Sequence, residues 1–276
     1  MKPIQIMLNG IPGNVALNLA QHALVDKRLK IMPYSLTGPE ITVVEFNIDS
    51  HKFKLLKPND RKRAVKEIID NYGHFIAVDY THPSAVVSNA KFYCELEIPF
   101  VMGTTGGDRK LLEDIVLSSN IAAVIAPNMA KQVVGFQAMM EYAANSFPDI
   151  FKGYSLEIKE SHQKGKADTS GTAKSMIKHF NKLGVDFTED QIIKIRDPQV
   201  QKEALHIPEE YLDGHGWHTY TLTSNDGTAQ FSFSHNINGR DIYAQGTIDA
   251  ILYLQKKIEL GITGKVYSMI DVLTSK

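Results

Sequence analysis

Between Glu160 and Ala173 the chain reads Glu160-Ser161-His162-Gln163-Lys164-Gly165-Lys166-Ala167-Asp168-Thr169-Ser170-Gly171-Thr172-Ala173. These residue types at this spacing suit proton transfer beside a bound anion. An imidazole has an unperturbed pKa of roughly 6.5, so His162 can exchange a proton at neutral pH. Lys166, four residues on, adds a positive charge. Ser170-Gly171-Thr172 then opens a helix supported by Ala173, Met176, Ile177, Phe180 and Leu183, with Gly184 as its stop. A helix start carries unpaired N–H groups and the positive end of the backbone dipole, and small hydroxyl residues add donors. With Lys166 it makes a site suited to a carboxylate. The plain alternative is a solvated polar loop that ends in a helix cap.

A second candidate is Gly10-Ile11-Pro12-Gly13-Asn14-Val15-Ala16, at the handover from a first strand to a first helix. A dinucleotide's pyrophosphate needs glycine there, so that the backbone can turn tightly and approach it, and a helix N-terminus to receive its charge. The pattern is G-x-x-G-x-x-A, with Ala16 where a third glycine is usual. A glycine loop alone also fits an ordinary strand-to-helix turn; here it stands at the front of a run of strand-helix units.

Three further loops follow apolar runs: Asp79-Tyr80-Thr81, Gly103-Thr104-Thr105-Gly106 and Ala126-Pro127-Asn128-Met129. Ligands of open parallel sheets bind outside the carboxyl ends of the strands, so these loops are expected to line one crevice that includes Thr81, Gly103, Thr104, Thr105, Ala126, Pro127, Asn128 and Met129. Cofactor choice is read at the end of the second strand. Pro33-Tyr34-Ser35-Leu36-Thr37 holds no carboxylate before Glu40 and no arginine, and Ser35 and Thr37 are candidate donors to a 2′-phosphate. The expectation is NADPH, with NADH possible.

The elements that must position these residues are legible from periodicity. Ile4–Leu8 and 29–35 read as strands, with a helix on Ala16, Leu19, Ala20, Ala23 and Leu24 between them. Segments 42–46 and 52–56 suggest a hairpin insertion. Helices near 60–71, after Pro83, at 108–119 and at 130–147 then alternate with strands at 75–80, 100–104 and 122–126. Such repetition implies a doubly wound, Rossmann-type α/β domain with a parallel sheet. Further on, Tyr154, Leu156 and Ile158 alternate with polar residues, as do 217–223 and 228–237, with the hairpin signal Asn225-Asp226-Gly227 between the last two. The expectation is a second α+β domain with an open mixed sheet. A closing helix with Ile248, Ile251, Leu252 and Leu254 returns the chain to the first domain. The boundaries expected are 1–129 with 241–276 for dinucleotide binding, and 130–240 for substrate binding and oligomerisation.

Bulk properties narrow the classes. The 276 residues are 43% hydrophobic and 22% charged, which suits two globular domains and excludes disorder. Thirty basic against thirty-one acidic residues give a net charge of -1, so there is no electrostatic footprint for nucleic acid. No run is long and apolar enough for a membrane span, and no signal-peptide pattern precedes the first strand. The single cysteine, Cys94, reads as a small core residue in a helix. A cytoplasmic protein is expected, with no metal.

Other candidates carry less. His235 shares a strand face with Phe231 and Phe233 and reads as a packed core or interface residue. Arg240, in an Asn238-Gly239-Arg240-Asp241 turn, faces substrate or solvent. His215 and His218 flank Gly216-Trp217 without an evident third metal ligand, and a solvent or interface role is expected for them. The cations of 60–66 read as the wet face of a helix.

The stretch from Glu160 to Ala173 resembles the signature of the dihydrodipicolinate reductases, in which Glu-x-His-His-x-x-Lys-x-Asp leads into Ser-Gly-Thr-Ala. The resemblance runs from the Gly10 loop to the closing Tyr267-Ser268-Met269-Ile270-Asp271-Val272-Leu273. Glu160-Ser161-His162-Gln163, Gly103-Thr104-Thr105-Gly106-Gly107-Asp108-Arg109 and Ile195-Arg196-Asp197-Pro198 are similar to its plant-like branch, although the chain starts directly at its first strand, a bacterial layout without a transit segment. Gln163 replaces the second histidine, and the loop before Ser170 is one residue shorter for want of a proline. The resemblance implies reduction of the cyclic condensation product of pyruvate and aspartate semialdehyde, a dicarboxylate, with loss of water. It implies hydride delivery to ring C4, His162 as proton donor, Lys166 as the assisting cation, and Gln163, Ser170, Gly171 and Thr172 as substrate contacts. The cofactor contacts implied are Gly10, Ile11, Pro12, Gly13, Asn14, Val15 and Ser35 with the three later loops. It also implies a homo-oligomer, dimer or tetramer, built through the second-domain sheet, for which the Phe231 and Phe233 face is the candidate. Two rival readings stay open: another two-domain NAD(P)-dependent dehydrogenase of an amino acid or semialdehyde, and a non-catalytic NAD(P)-binding sensor.

Overall fold

A computed structural model describes residues 2–275. Compactness divides the chain into two units, Met1–Lys131 with Asp241–Lys276, and Gln132–Arg240. The strands are β1 (Ile4–Asn9), β2 (Leu29–Ile31), β3 (Tyr34–Leu36), β4 (Glu45–Ile48), β5 (His51–Leu56), β6 (Ile76–Asp79), β7 (Phe100–Met102), β8 (Ala122–Ile125), β9 (Tyr154–His162), β10 (Ile193–Ile195), β11 (His215–Ser224), β12 (Gln230–Asn238) and β13 (Lys265–Tyr267). The helices are α1 (Asn14–Val25), α2 (Arg61–Tyr72), α3 (Val86–Glu95), α4 (Arg109–Leu117), α5 (Lys131–Ser146), α6 (Gly171–Lys182), α7 (Pro198–Glu203), α8 (Asp241–Glu259) and α9 (Met269–Thr274). No helix among the described residues is long and apolar enough to cross a membrane.

The first unit carries a six-stranded sheet in the order β13-β8-β7-β6-β1-β2, with every pair parallel. Its central strands are apolar without alternation because both faces are covered. Met7, Ala77, Phe100, Met102 and Ala123 join Val65 and Ile68 of α2, Ala90 and Phe92 of α3, and Leu112 and Val116 of α4 in one core cluster. Helices α1 and α8 pack on each other and on β1, β7 and β8. Cys94 is packed at the edge of the α2–α4 cluster, as expected of it.

The single second strand expected over 29–35 is two strands in two sheets. Met32 N donates to Ile6 O (2.8 Å), while Pro33 O accepts from Lys54 N (2.9 Å). Proline has no N–H to continue the first ladder, so the chain passes at Pro33 to a small sheet in the order β3-β5-β4. The β4–β5 hairpin there corresponds to the expected insertion.

The second unit carries a mixed sheet in the order β10-β9-β11-β12, in which only the β10–β9 pair is parallel. On one face Ile158, Tyr220 and Leu222 meet Met140 and Ala144 of α5 and Ala173, Met176 and Phe180 of α6. Register puts Phe231 opposite Leu222 and Phe233 opposite Tyr220, on this same face. Their rings meet Phe151, Tyr154 and Phe180. They share the helix-covered side of the sheet, with Phe231 at its exposed margin (45%) and Phe233 half-buried, while the other face carries Trp217, Thr219, Thr221, Ser232 and Ser234. One residue of pairing offset exchanges the two faces of a strand, and the sequence does not state that offset.

In the first unit a Cβ on Gly246 of α8 would overlap the carbonyl oxygen of Met129, whereas in the second a Cβ on Gly135 of α5 would meet open space. Gly246→Ala is therefore expected to lower stability by about 2–4 kcal/mol. Gly135→Ala is expected to leave stability unchanged or raise it by up to about 1 kcal/mol. Thermal and urea melts of the two variants provide the check.

Candidate active site

Each unit holds one group of candidate residues. In the first, β1 ends at Asn9, and Gly10 turns with φ +106°; a Cβ there would overlap the Tyr80 carbonyl. The Ile11–Pro12 peptide is cis. Gly13 caps α1 with no side-chain hydrogen bond at the helix start, and Gly13 and Asn14 are exposed. A bare helix N-terminus behind a close-turning glycine fits a pyrophosphate. Ala16 is fully buried, so α1 beds into the core without a third glycine.

Around this turn lies a buried polar network. Asp79, fully buried at the end of β6, accepts from the Tyr93 hydroxyl (2.7 Å), Asn89 Nδ2 (2.9 Å), the Thr81 hydroxyl (2.7 Å) and the Thr104 hydroxyl (2.7 Å). Asn9 donates to Tyr93 Oη (2.9 Å) and accepts from Leu36 N (2.9 Å). Burial beside this carboxylate pushes the Tyr93 phenol well above its ordinary pKa. Parallel pairing aligns the carboxyl ends of β1, β6, β7 and β8, so the loops at Gly10, Thr81, Gly103 and Ala126 leave the same edge of the sheet.

The accessible members of the expected cofactor set are Pro12, Gly13, Asn14, Val15, Thr81, Thr105, Pro127 and Asn128, while Ile11, Gly103, Thr104, Ala126 and Met129 are buried. Ser35 is a correction. It is fully buried, and its hydroxyl accepts from Ile11 N (3.2 Å) and donates to Leu36 O (3.3 Å). The Thr37 hydroxyl donates to Ile11 O (3.1 Å). Both hold the glycine turn in place, and neither offers a 2′-phosphate the hydrogen expected of it.

In the second unit, β9 ends at His162 and the following loop carries Lys166 to α6. Lys166 Nζ donates to Asp168 Oδ1 (2.9 Å), and Arg196 Nε donates to Lys166 O (2.8 Å). Ser170 is the α6 N-cap and accepts from Thr172 N (3.2 Å), so a substrate carboxylate would compete for that N–H. Gly171 is exposed, and Gln163 and Thr172 are half-buried. Glu160, fully buried, accepts Ser170 N on Oε2 (2.9 Å) and the Arg196 guanidinium on Oε1.

Two imidazoles stand beside this carboxylate, and a third stacks on one of them. His162 meets His218 edge-on at 5.1 Å between ring centres, and His218 stacks on His235 at 4.5 Å. Burial first, then the charges of Arg196 and Lys166, hold His162 down at about 3. Burial with the neighbouring imidazoles holds His218 at about 2, and burial alone holds His235 at about 4. All three are neutral at pH 7. The solvent or interface role expected for His215 and His218 is overturned, because both are buried. His215 is satisfied by the Ser161 hydroxyl (2.8 Å) and Tyr211 O (3.0 Å). Nor does His218 lack companion ligands: ligand atoms of Glu160, His162 and His218 all lie within 4.8 Å of one another. Arg196 and Lys166 add positive charge to that spot, which favours an anion over a metal dication. Arg240 lies half-buried beside Gly214.

Sequence reading missed the grouping of Glu160, Arg196 and His218. Alternation found the strands, but only the register that pairs His218 with Glu160 brings these groups together.

Residues 4–129 match the family model described as dihydrodipicolinate reductase, N-terminus, and residues 132–273 match its C-terminus. The chain belongs to the dihydrodipicolinate reductase family. A rice (Oryza sativa subsp. japonica) relative named probable 4-hydroxy-tetrahydrodipicolinate reductase 1, chloroplastic, is 46% identical over 97% of this chain and 78% of its own. The Arabidopsis thaliana 4-hydroxy-tetrahydrodipicolinate reductase 2, chloroplastic, is 46% identical over 98% of this chain and 77% of its own. The dipicolinate-bound dihydrodipicolinate reductase of Paenisporosarcina sp. TG-14 shares the fold, with a TM-score of 0.68 at 16% identity, over 98% of this chain and 99% of that one. Burial of the three imidazoles has a cost in acid.

The unfolded chain holds its histidines near 6.5, while the folded protein holds His162, His218 and His235 well below. Below about pH 6.5 the unfolded state therefore binds more protons, and stability falls as pH falls toward the folded values. Tm is expected to drop steadily between about pH 6.5 and 4. A Tm that stays flat over that interval would contradict neutral, buried imidazoles.

Proposed function

We propose that this chain reduces 4-hydroxy-tetrahydrodipicolinate to tetrahydrodipicolinate with loss of water, as an NAD(P)H-dependent oxidoreductase of lysine and diaminopimelate biosynthesis. The observation that carries the reading is the joint placement of His162, Lys166 and the α6 N-terminus around the buried Glu160, in a chain whose two halves both match the reductase family. The first unit takes the cofactor and the second the substrate. The backbone at Gly10, Gly13, Asn14 and Val15 holds the pyrophosphate, with Thr81, Thr105, Pro127 and Asn128 beside the nicotinamide end. When bound, the reduced nicotinamide supplies the hydride.

The remaining chemistry belongs to the second unit. Lys166 and the Ser170-Gly171-Thr172 turn hold the ring carboxylates, and Gln163 adds an amide donor. Charge that builds on the ring after hydride arrival draws a proton from His162. Since His162 is neutral in the free protein, it must gain its proton together with the dianionic substrate, whose charge offsets Lys166 and Arg196. Positioned proton transfer contributes roughly 10²–10⁴ in rate, and fixing hydride donor and acceptor face to face supplies the rest.

NADPH is the proposed cofactor, with NADH also accepted. Support is the lack of a carboxylate between Pro33 and Pro39; Ser35 and Thr37 lend none. A homo-oligomer, dimer or tetramer, is proposed through the outer face of β9, β11 and β12, where Thr219, Thr221, Ser232 and Ser234 leave a flat polar surface around Trp217. The proposed location is the cytoplasm, a reducing compartment that suits one unpaired cysteine.

Purified protein is mixed with NADPH, and separately NADH, and substrate made in situ from pyruvate and aspartate semialdehyde, and loss of reduced-nicotinamide absorbance is followed. Rapid oxidation is expected. Lys166→Ala should lower kcat/KM by about 10²–10³ while leaving NADPH affinity unchanged. Tight cofactor binding without oxidation would instead favour the sensor.

A further inference from the structure

Glu160 makes two bonds that tie different parts of the site together, and it stands short of two more. Its Oε2 accepts the N–H of Ser170, the residue that caps the anion-holding helix, and its Oε1 accepts Arg196. At 3.9 Å from Oε1 lies Nδ1 of His162, and at 3.9 Å from Oε2 lies Nε2 of His218. Both nitrogens are buried with no hydrogen-bond partner among the described residues. Buried polar atoms without partners are rare and costly. A ring movement of about 1 Å would bring His162 Nδ1 into hydrogen-bond range of Glu160. On the neighbouring strand Gly216 stands opposite His162, so no side chain at that position covers the Nε2 edge of the ring.

We propose that Glu160 is the positioning residue for His162: binding of a dianionic ring at Lys166 and the α6 N-terminus draws the Nδ1–H of His162 onto the Glu160 carboxylate, which fixes the charged ring with its Nε2–H toward the substrate. This rests on the reductase reading given above. Every charged or titratable neighbour enters. Arg196, Lys166 and a protonated His215 oppose a charge on His162 and Asp168 favours it; His218 and His162 oppose each other's charge, a carboxylate 3.9 Å from Nδ1 attracts it, and His235 reaches it only through the His218 stack. In the free protein the cations and burial prevail. A dianion reverses the balance, and Glu160, held by Ser170 and Arg196, is the one buried anion among the described residues within reach of Nδ1. Protons balance: His162 gains one from solvent on binding, gives it from Nε2 to the ring as hydride arrives, and returns neutral on product release.

Two measurements test this on the full-length protein. Calorimetric titration with 2,6-pyridinedicarboxylate, in buffers of differing ionisation enthalpy at pH 7.5, should show uptake of about one proton by the wild type. In Glu160→Gln that uptake should fall toward zero. The alkaline limb of kcat should move down by about 1–3 pH units in the same variant, because an uncharged amide no longer supports the imidazolium. Affinity for NADPH should not change. A purely structural role would lower the folded fraction without moving either the limb or the proton count. Should Glu160→Gln fail to fold, Glu160→Asp, which keeps the charge but withdraws it by one methylene, must show a smaller shift of the same sign. Unchanged uptake and pH profile in an active, folded variant would overturn the proposal and leave the reductase reading standing. An inactive wild type that still takes up a Glu160-dependent proton would do the reverse.

Discussion

A carboxylate cut off from water has to be surrounded by donors or it will not stay charged. Asp79 in the first unit and Glu160 in the second are both fully buried, and both stand at or near the carboxyl end of a strand. Asp79 gathers hydroxyls and an amide from the turn after its own strand, from α3 and from the β7 loop. Glu160 gathers a helix-cap N–H and a guanidinium. Each satisfied oxygen fixes a loop that would otherwise be free to move. The loops that need precise placement for chemistry are those that complete a buried anion's shell, so the solvation demand of two side chains sets the geometry of both half-sites.

The second unit shows why dryness is tolerated there. Three imidazoles and a carboxylate sealed between strands and helices would be unstable if all were charged. The structure keeps the imidazoles neutral and sets the carboxylate against Arg196. A neutral, low-dielectric cluster with cations at its margin favours an anion over a cation on electrostatic grounds. The doubly wound unit by itself says nothing about substrate.

Local signals in the sequence carried far. The glycine turn, the Ser170 cap, the β11–β12 hairpin and the strand-helix alternation are each encoded within a few consecutive residues, and each lies where periodicity and turn chemistry put it. What the sequence did not disclose depends on pairing between distant segments. Register with Leu222 and Tyr220 sets Phe231 and Phe233 on the helix-covered side of the sheet, where Phe231 stays exposed at the margin. Ser35 was read as facing a ligand, yet its strand had already changed sheets at Pro33, which turned the hydroxyl onto the glycine turn. His218 was unremarkable beside Trp217 until strand pairing set it across from Glu160. Arg196 stood only as a branch detail for the same reason.

The path of the chain has a consequence for biosynthesis. The second unit interrupts the first, which is completed only by α8, packed on α1, β7 and β8, and by β13, the edge partner of β8. As the ribosome releases the chain, residues up to Lys131 emerge without α8, which leaves the layer it shares with α1 incomplete, and with β8 unpaired along one side. The inserted unit, contiguous in sequence, can fold before them. An N-terminal half stalled or truncated at that point exposes an apolar sheet face and an open strand edge, the two features that most promote aggregation. Quality control of this protein would therefore turn on the returning segment 241–275, which holds no residue of the proposed site.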